Sequence, residues 1–177
     1  MLALCVLGGI ATTRADAQLA VDRVDLTLVP RSAARQSAVV TVTNTSNRPV
    51  AATIYTADWD RDEHGANRFY DLGTLPRSCG AIVGVFPRTM SPPPQSAQSL
   101  QVMAQAADTV AATCWNIIFI ETRLPPPPGE SRRLSYAIRT GVKVYLVPPG
   151  LEGGGFVEHA RYPGEYAMTV FFTVTAP

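Results

Sequence analysis

The alternation of apolar and polar residues is clearest between Leu134 and Leu146. Every even position in this range except Thr140 is apolar, whereas charged and small residues hold most of the odd positions. A period of two is typical of a β-strand with one buried face. A single strand of this extent would be about 43 Å long, at roughly 3.3 Å per residue, which exceeds the usual strand length. Alternatively, Gly141 marks a bulge that divides the run into two shorter strands.

Six further segments have the composition of strands. In chain order they are 21–28, 37–44, 50–59, 80–87, 97–105 and 113–123. Residues 44–49 predict a turn whose side chains bond to their own backbone, and prolines at 92–94 and 125–128 indicate loops. No segment has a helical period; the nearest, 104–114, is interpreted as a loop or a single helical turn. The pattern predicts an all-β protein, an immunoglobulin-like antiparallel β-sandwich of about seven strands.

The two ends of the chain differ from this central part. Residues 1–17 combine an apolar run with Ala15-Asp16-Ala17 and are interpreted as a secretory signal peptide, although a buried N-terminal helix is the alternative. The run is too short to span a bilayer, so no membrane span is predicted after cleavage. The sandwich is assigned to residues 18–148. Residues 149–177 are predicted to be a Gly-rich linker followed by an isolated strand within 166–175, which needs a sheet to pair with.

Composition limits the functions that this sandwich can have. The 177 residues are 46% hydrophobic with a formal net charge of +1, which suits one domain with a real core. Near-neutral charge gives no electrostatic basis for binding nucleic acid. Without the leader two cysteines are left, Cys79 and Cys114. In an oxidising compartment they could form a disulfide contributing about 3 to 4 kcal/mol; two unpaired buried thiols are the alternative.

No set of residues predicts catalysis. His64 and His159 both lie in polar segments without apolar or cysteine neighbours, which disfavours a role as ligand or base. No serine or cysteine has a plausible histidine partner. The Asn44-Thr45-Ser46 sequon is better explained as part of the turn. The sequence therefore predicts a binding protein rather than an enzyme, with no catalytic residue, no metal and no cofactor.

Residues 58–65 invite a comparison with a calcium-binding loop. Asp58, Asp60 and Asp62 occupy alternate positions, but the EF-hand loop requires glycine at its sixth position and glutamate at its twelfth. Glu63 and Phe69 stand there instead. A solvated hairpin tip is the preferred interpretation of this segment.

Residues 21–148 contain a series of motifs in a specific order: "VTVTN" (40–44), a strand ending in Trp59, "VFPRTMSPPPQSAQSLQV" (85–102), "CWNIIFIETRLP" (114–125) and "VKVYLVP" (142–148). In this order they resemble the N-terminal immunoglobulin-like domain of the PapD-like family of periplasmic pilus-assembly chaperones. The resemblance implies a fimbrial chaperone located in the periplasm and involved in pilus and cell-wall organisation. The implied partners are secreted pilus or pilin-like subunits and an outer-membrane usher.

The resemblance also implies roles for individual residues. In the family, a donor strand lends alternating apolar residues to a subunit that lacks its own last strand. Those positions fall on Leu134, Tyr136 and Ile138, within residues 133–140. A family lysine and a first-strand arginine anchor the subunit's carboxylate. Lys143 matches the lysine, and Arg23 is the candidate for the arginine.

The match departs from the family at three points. The first-strand arginine aligns most directly with Asp25, which would pair with Lys143 and compromise the anchor. The family has two sandwich domains where this chain has room for one, and the Cys79–Cys114 pair is an addition. The tail resembles the last strand of secreted spore-coat-U-type subunits, as in a fused gene or a strand that completes its own sheet. The alternatives are therefore an ordinary core strand and a structural or adhesive immunoglobulin-like module.

Overall fold

The computed structural model describes residues 18–29, 36–104, 112–124, 135–149 and 171–175. Within these ranges the chain is built from strands and one short 3-10 turn, Gly80–Ile82, so the all-β prediction is confirmed. The strands are β1 (Leu19–Val21), β2 (Asp25–Leu28), β3 (Gln36–Asn44), β4 (Ala52–Arg61), β5 (Asn67–Tyr70), β6 (Val83–Phe86), β7 (Thr89–Met90), β8 (Ala97–Ala104), β9 (Cys114–Leu124), β10 (Ser135–Leu146) and β11 (Phe171–Thr175). No helix among the described residues has the length and apolarity needed to cross a bilayer.

The strands form two sheets that pack face to face. The smaller sheet has the order β1-β3-β8-β6, and the larger has the order β11-β10-β9-β4-β5. In the larger sheet β2 also lies beside β10 and β7 beside β4. Among the described strands β2 and β10 run parallel, whereas the other pairs are antiparallel. This is the predicted antiparallel sandwich, to which short strands have been added.

The first predicted strand is divided between the two sheets. β1 pairs with β3 in the smaller sheet, and β2 pairs with β10 in the larger one. Asp22 lies at the crossing, where its carboxylate accepts a 2.9 Å hydrogen bond from the N–H of Thr41. Neither glycine nor proline marks this point, so alternation alone predicted one continuous strand.

The main core lies between the facing sides of the sheets. Its most completely buried side chains are aliphatic, and burying each one contributes about 1.5 to 3 kcal/mol. They are Val40, Val42, Leu100 and Val102 from the smaller sheet, and Ile54, Ile118, Ile120, Val142, Val144 and Leu146 from the larger one. The even positions of β10 that were predicted to be apolar therefore point into the sandwich from Val142 onward.

A disulfide joins the two layers near one end of this core. Cys79 precedes the 3-10 turn that leads into β6, and Cys114 begins β9. Their sulfur atoms are bonded, with the Cα atoms 5.1 Å apart. Of the two alternatives that the sequence left open, the structure has the disulfide.

The turn after β3 is built around a buried asparagine. The Oδ1 atom of Asn44 accepts hydrogen bonds from the backbone N–H and the hydroxyl of Ser46, at 2.9 and 2.8 Å. Its Nδ2 atom donates to the carbonyl oxygens of Arg48 and Pro92. The predicted side-chain-bonded turn is confirmed, and because Asn44 is fully buried the sequon's asparagine side chain is not presented at the surface.

Strand β10 is one uninterrupted element. Its register with β9 runs from Tyr136 opposite Leu124 to Leu146 opposite Cys114 without a skipped residue. The predicted bulge at Gly141 is therefore wrong. The glycine is explained by close packing, because a Cβ atom there would lie 2.8 Å from the Cδ1 atom of Ile117.

Candidate functional site

The outer edge of β10 is shared by two strands. β2 runs parallel to Lys143–Leu146, and β11 runs antiparallel to Ser135–Arg139. Strand β9 covers the opposite edge. The predicted donor segment, residues 133–140, thus coincides over its described part with the stretch that carries β11. The tail strand pairs with the chain's own sheet through residues 171–175, whereas residues 166–170 lie outside the described part of the chain.

The three predicted donor residues differ in what the structure describes. Leu134 lies outside the described residues, and Tyr136 is placed in β10 by its backbone register with Leu124 and Val174. Ile138 is 4% exposed, and its register neighbours are Thr122 and Phe172. It belongs to neither of the two apolar clusters that the described residues form. Their role as a donor face remains a prediction.

Lys143 lies on the face of the larger sheet that is turned away from the sandwich core. Its ammonium nitrogen stands 4.0 Å from the centre of the Trp59 ring, in a cation–π arrangement. Its backbone N–H donates a 2.8 Å hydrogen bond to the carbonyl of Val24. Burial of the ammonium group lowers the pKa of Lys143, nearby Arg61 lowers it further, and Asp25 acts in the opposite direction.

Neither first-strand residue considered for the anchor, Arg23 or Asp25, forms an ion pair with Lys143 within the described ranges. Arg23 contacts its neighbour Asp22, with Nη2 3.0 Å from the carboxylate. Asp25 is the register neighbour of Lys143 across the parallel pair. Yet no carboxylate of the described residues lies within ion-pair distance of Lys143, so the predicted competition from Asp25 does not take the form of a salt bridge. Arg23 is also absent from the charges that act on the pKa of Lys143.

The cation whose field reaches Lys143 is Arg61, at the end of β4. Its Nε atom is buried and has no hydrogen-bond partner among the described residues. A buried donor without an acceptor is costly, and two cations of like charge repel each other. Together these features leave a positively charged position that an incoming anion would stabilise. Arg61 cannot be recognised from the sequence, because it stands beside the hairpin tip, where an arginine looks like a solvated residue.

Aromatic side chains cover this same outer face. Trp59 and Tyr145 meet edge to face with ring centres 6.1 Å apart, and Phe69 meets Phe119 in the same way at 5.0 Å. The indole N–H of Trp115 donates a 2.9 Å hydrogen bond to the carbonyl of Trp59. Such pairs add about 0.5 to 1.5 kcal/mol each beyond their buried area. These rings form or pack against the second apolar cluster, whose buried residues are Ala57, Trp59, Ile117, Phe119 and Tyr145. The cluster therefore holds the Trp59 ring in place beneath the ammonium group of Lys143.

Glu121 organises the polar part of this face, next to the aromatic cluster. One of its carboxylate oxygens accepts hydrogen bonds from the hydroxyl of Tyr55 and from Nε of Arg139, both at 2.9 Å. Arg139 also lies over the ring of Phe119, with its guanidinium carbon 6.0 Å from the ring centre. Arg139 is one of the odd-numbered residues of the predicted donor segment. The hydrogen-bond network of Glu121 therefore extends to the part of β10 that pairs with β11.

The acidic segment considered for calcium has structural roles instead. Asp58 is fully buried and accepts hydrogen bonds from the hydroxyl of Ser78, from Nδ2 of Asn116 and from the N–H of Leu75, at 2.6, 2.8 and 2.9 Å. Asp62 forms the β4–β5 turn by accepting from the N–H of Ala66. Within the described ranges no group of three or more His, Cys, Asp or Glu residues is arranged to hold a metal ion. His64 is exposed on the turn, and His159 lies outside the described residues.

No protein-family model and no curated protein matches the chain. Solved structures do resemble it. A chain from the CsuC–CsuE chaperone–tip adhesion subunit complex of Acinetobacter baumannii Csu pili has a TM-score of 0.54 and 10% identity, covering 78% of this chain and 60% of that chain.

Two further structures give the same result. A chain from the chaperone–tip adhesin complex of CFA/I fimbriae has a TM-score of 0.52 at 15% identity, over 75% of this chain and 56% of that one. A chain from the Salmonella enterica SafA pilin–SafB chaperone complex has a TM-score of 0.52 at 13% identity, over 76% and 56%. The fold is PapD-like. The resemblance indicated by the motifs is confirmed at the level of this PapD-like fold, and this chain spans little more than half the length of each of these three chains.

Proposed function

We propose that the protein is a periplasmic chaperone for the assembly of pili or related surface structures, and that it holds secreted subunits by donor-strand complementation. The observation that carries the proposal is the divided edge of β10. Its C-terminal half is occupied by β2, whereas its N-terminal half accepts a strand that arrives from elsewhere in the chain. Backbone groups at such an edge can pair with a subunit strand in the same way.

Lys143 supports this proposal as the anchor for a subunit carboxylate. It stands at the boundary between the two halves of the edge, half-buried, and lacks a carboxylate partner among the described residues. A carboxylate near Lys143 would relieve the repulsion from Arg61 and gain a charge-assisted hydrogen bond. We propose Arg61 as the second cation of the anchor, since Arg23 would first have to leave Asp22.

The proposed partners and location follow from the same fold. The subunits would be secreted pilus or pilin-like proteins, delivered onward to an outer-membrane usher. A signal peptide spanning residues 1–17 would take the chain to the periplasm, where the disulfide can form. N-terminal sequencing of the protein recovered from the periplasmic fraction tests this part: we expect it to begin near Gln18, and a protein retained in the cytoplasm with Met1 intact would contradict it.

Subunit capture tests the central proposal. The full chain is co-expressed with secreted subunits encoded next to its gene, and complexes are isolated through a tag on the chain. We expect Ile138→Ala and Ile138→Asp to reduce the captured subunit at least tenfold. Val142→Ala is the matched control, because Val142 occupies the same inner face of β10 beyond the stretch that pairs with β11. If no subunit is captured by the full chain, or if both positions reduce capture equally, the proposal fails.

The anchor is tested by a second matched pair. We expect Arg61→Gln to weaken capture severalfold, as Lys143→Ala does, while Arg23→Gln has little effect. Melting temperatures distinguish loss of binding from loss of folding, since all three side chains are at least partly solvent-accessible. If Arg23→Gln weakens subunit capture more than Arg61→Gln does, the second cation of the anchor is Arg23 in the first strand rather than Arg61.

A structural or adhesive immunoglobulin-like module is the second candidate function. The observation that favours it is the pairing of β11 with β10, because a chain that completes its own sheet needs no partner to cover that edge. This candidate predicts that the mature chain is found as a permanent component of a surface structure. The chaperone predicts instead that it is recovered in the periplasm with subunits, so fractionation of cells separates the two.

A further inference from the structure

The pairing of β11 defines a separate slot on β10. Both occupants of the outer edge lie against the same strand, but they run in opposite directions: β2 is parallel to Lys143–Leu146, and β11 is antiparallel to Ser135–Arg139. Strand β9 pairs with β10 along both halves. Removal of β11 would therefore leave the backbone of 135–139 unpaired on one side, without disturbing the pairing of the other half.

The two occupants are connected to the sheet very differently. Asp25 follows β1 after three residues, so β2 is held close to its place by the adjoining strand. Phe171 follows Pro149, the last described residue before it, after 21 intervening residues, a length that can span up to about 70 Å. β11 is therefore joined to β10 only through a long stretch of sequence, and its pairing is an intramolecular event that a partner strand has to outcompete. A partner strand can compete with it.

Ile138 gives the slot a chemical preference. It is 4% exposed, yet it lies outside the apolar clusters of the described residues, and its register neighbour in the tail is Phe172. Tyr136 stands opposite Val174 in the same register. The strand that now fills the slot thus has large apolar residues at two alternate positions, opposite two of the predicted donor residues.

We propose that Phe171–Thr175 is a resident, exchangeable strand that occupies the subunit-binding edge of β10 until a partner displaces it. The inference rests on the proposed function for the identity of the partner, an extended subunit segment with large apolar residues at alternate positions. A subunit is captured when its strand pairs with the slot better than the tail does. The tail also covers an edge that would otherwise invite aggregation.

Hydrogen exchange on the full chain tests the resident strand without any subunit. Thr173 lies at the centre of β11, opposite Ala137. Thr173→Pro should break the pairing, because proline cannot extend a regular strand ladder; Thr173→Val keeps a strong strand former and is the matched control. We expect faster exchange in peptides covering 135–139 for about half of the amides, since successive N–H groups of an inner strand point to alternate neighbours. Peptides covering 143–146 should be unchanged, which provides an internal reference.

A peptide added in trans tests the exchange itself. The probe is a fluorescent synthetic peptide with the sequence of residues 166–177, titrated into the full chain and its variants. We expect Thr173→Pro to bind the peptide at least tenfold more tightly than the wild type and Thr173→Val do, because its own tail competes poorly. Equal binding by all three proteins, an absence of binding by Thr173→Pro, or unchanged exchange at 135–139 would each overturn the inference.

Hydrogen exchange at several protein concentrations distinguishes pairing of β11 with β10 of the same chain from pairing with β10 of a second copy. Protection of 135–139 that is unaffected by dilution, in a protein that light scattering shows to be monomeric, supports the resident strand. If dilution dissociates a dimer and protection of 135–139 is lost at the same time, the inference is overturned, because the tails are then exchanged between two copies. The proposed function fails separately, if neither the wild type nor Thr173→Pro captures a subunit. The hydrogen-exchange result does not depend on subunit capture.

Discussion

Glu121 holds its charge against the cost of burial. Burial of the carboxyl group raises its pKa, but the hydrogen bonds from Tyr55 and Arg139 outweigh this effect and leave the pKa of Glu121 below its usual value of 4.5. The pKa of Tyr55 is correspondingly raised to about 12, first by its own burial and then by the hydrogen bond to Glu121. The folded state therefore favours the ionised carboxylate. Its contribution to stability is fully present above about pH 4.5 and is lost as the pH falls through the lower folded-state pKa.

Glu121→Gln should remove this contribution. At pH 7 we expect the free energy of unfolding to fall by about 1 to 2 kcal/mol, because hydrogen bonds to a charged acceptor are replaced by weaker ones. The difference from the wild type should shrink as the pH falls below about 4.5. Urea unfolding between pH 3 and pH 7 measures it. Glu63→Gln is the control, since Glu63 is 85% exposed in its side chain; a difference that stays constant with pH would contradict the assignment.

Burial lowers the pKa of Lys143 by disfavouring its charged form, whereas hydrogen bonds lower the pKa of Glu121 by favouring its charged form; in both cases stability rises with pH. Burial and the charge of Arg61 lower the pKa of Lys143 below the usual 10.5, with partial compensation from Asp25. Between the lowered pKa and 10.5, the unfolded chain holds more protons than the folded chain, so stability attributable to Lys143 rises with pH. We expect Lys143→Met to lack this rise. The wild-type-minus-variant difference in unfolding free energy, followed from pH 7 to pH 10, isolates the lysine because the tyrosines titrate in both proteins.

Residue roles on this face could be predicted only where a sequence motif carries them. The "VKVYLVP" motif was enough to single out Lys143. Glu121 and Tyr55 meet across two strands from positions 66 apart in the chain, so no local pattern joins them. Arg61 could have been found only by placing the end of β4 beside the face that carries Lys143.

Gly141 is the position where β10 depends on an absent side chain. A Cβ atom there would lie 2.8 Å from Cδ1 and 3.4 Å from Cγ1 of the buried Ile117. We expect Gly141→Ala to destabilise the protein by about 1 to 2 kcal/mol, since overpacking forces neighbours to shift. Chemical denaturation measures the effect. Gly84→Ala is the matched control, because a Cβ atom at Gly84 meets nothing within 4 Å.

A double variant identifies the contact that is responsible. Ile117→Val removes the Cδ1 atom, so Gly141→Ala should cost less in that background than in the wild type. The coupling energy from the double-mutant cycle should have the sign of a relieved clash. Additive effects would show that Gly141 is required for a backbone reason instead.

Pairing partners of an element are harder to predict than the element itself. Alternation placed a strand between Leu134 and Leu146, and the structure has β10 at Ser135–Leu146. The length of β10 has a physical reason that the alternation does not reveal: one edge of β10 pairs with two strands that run in opposite directions. Because β1 and β2 read as one alternating run, their assignment to different sheets depends on tertiary packing.

The sandwich as a whole is predictable because both of its sheets bury one face. Alternating apolar residues in β3, β8, β9 and β10 supply the main core, and the prolines at 92–94 and the Asn44 turn lie between strands as predicted. The second cluster, on the outer face of the larger sheet, could not be predicted in this way. Its residues occupy the positions that alternation assigns to solvent, including Trp59 and Phe119, which are at most 2% exposed.

The disulfide determines how strongly the two layers depend on each other. Cys79 leads into the smaller sheet, Cys114 begins β9 of the larger sheet, and the two cysteines are 35 positions apart in the chain. Closing a loop of this length restricts the unfolded chain and so stabilises the folded protein by about 3 to 4 kcal/mol at 25 °C.

We expect the reduced wild type to be less stable by this amount, as measured by urea unfolding with and without reductant. The double variant Cys79→Ala, Cys114→Ala should show no response to reductant, and a wild type equally indifferent to it would contradict the assignment. A loss of this size is a large part of the stability of a typical domain, so we also expect the chain to fold poorly where thiols stay reduced, in keeping with the proposed periplasmic location.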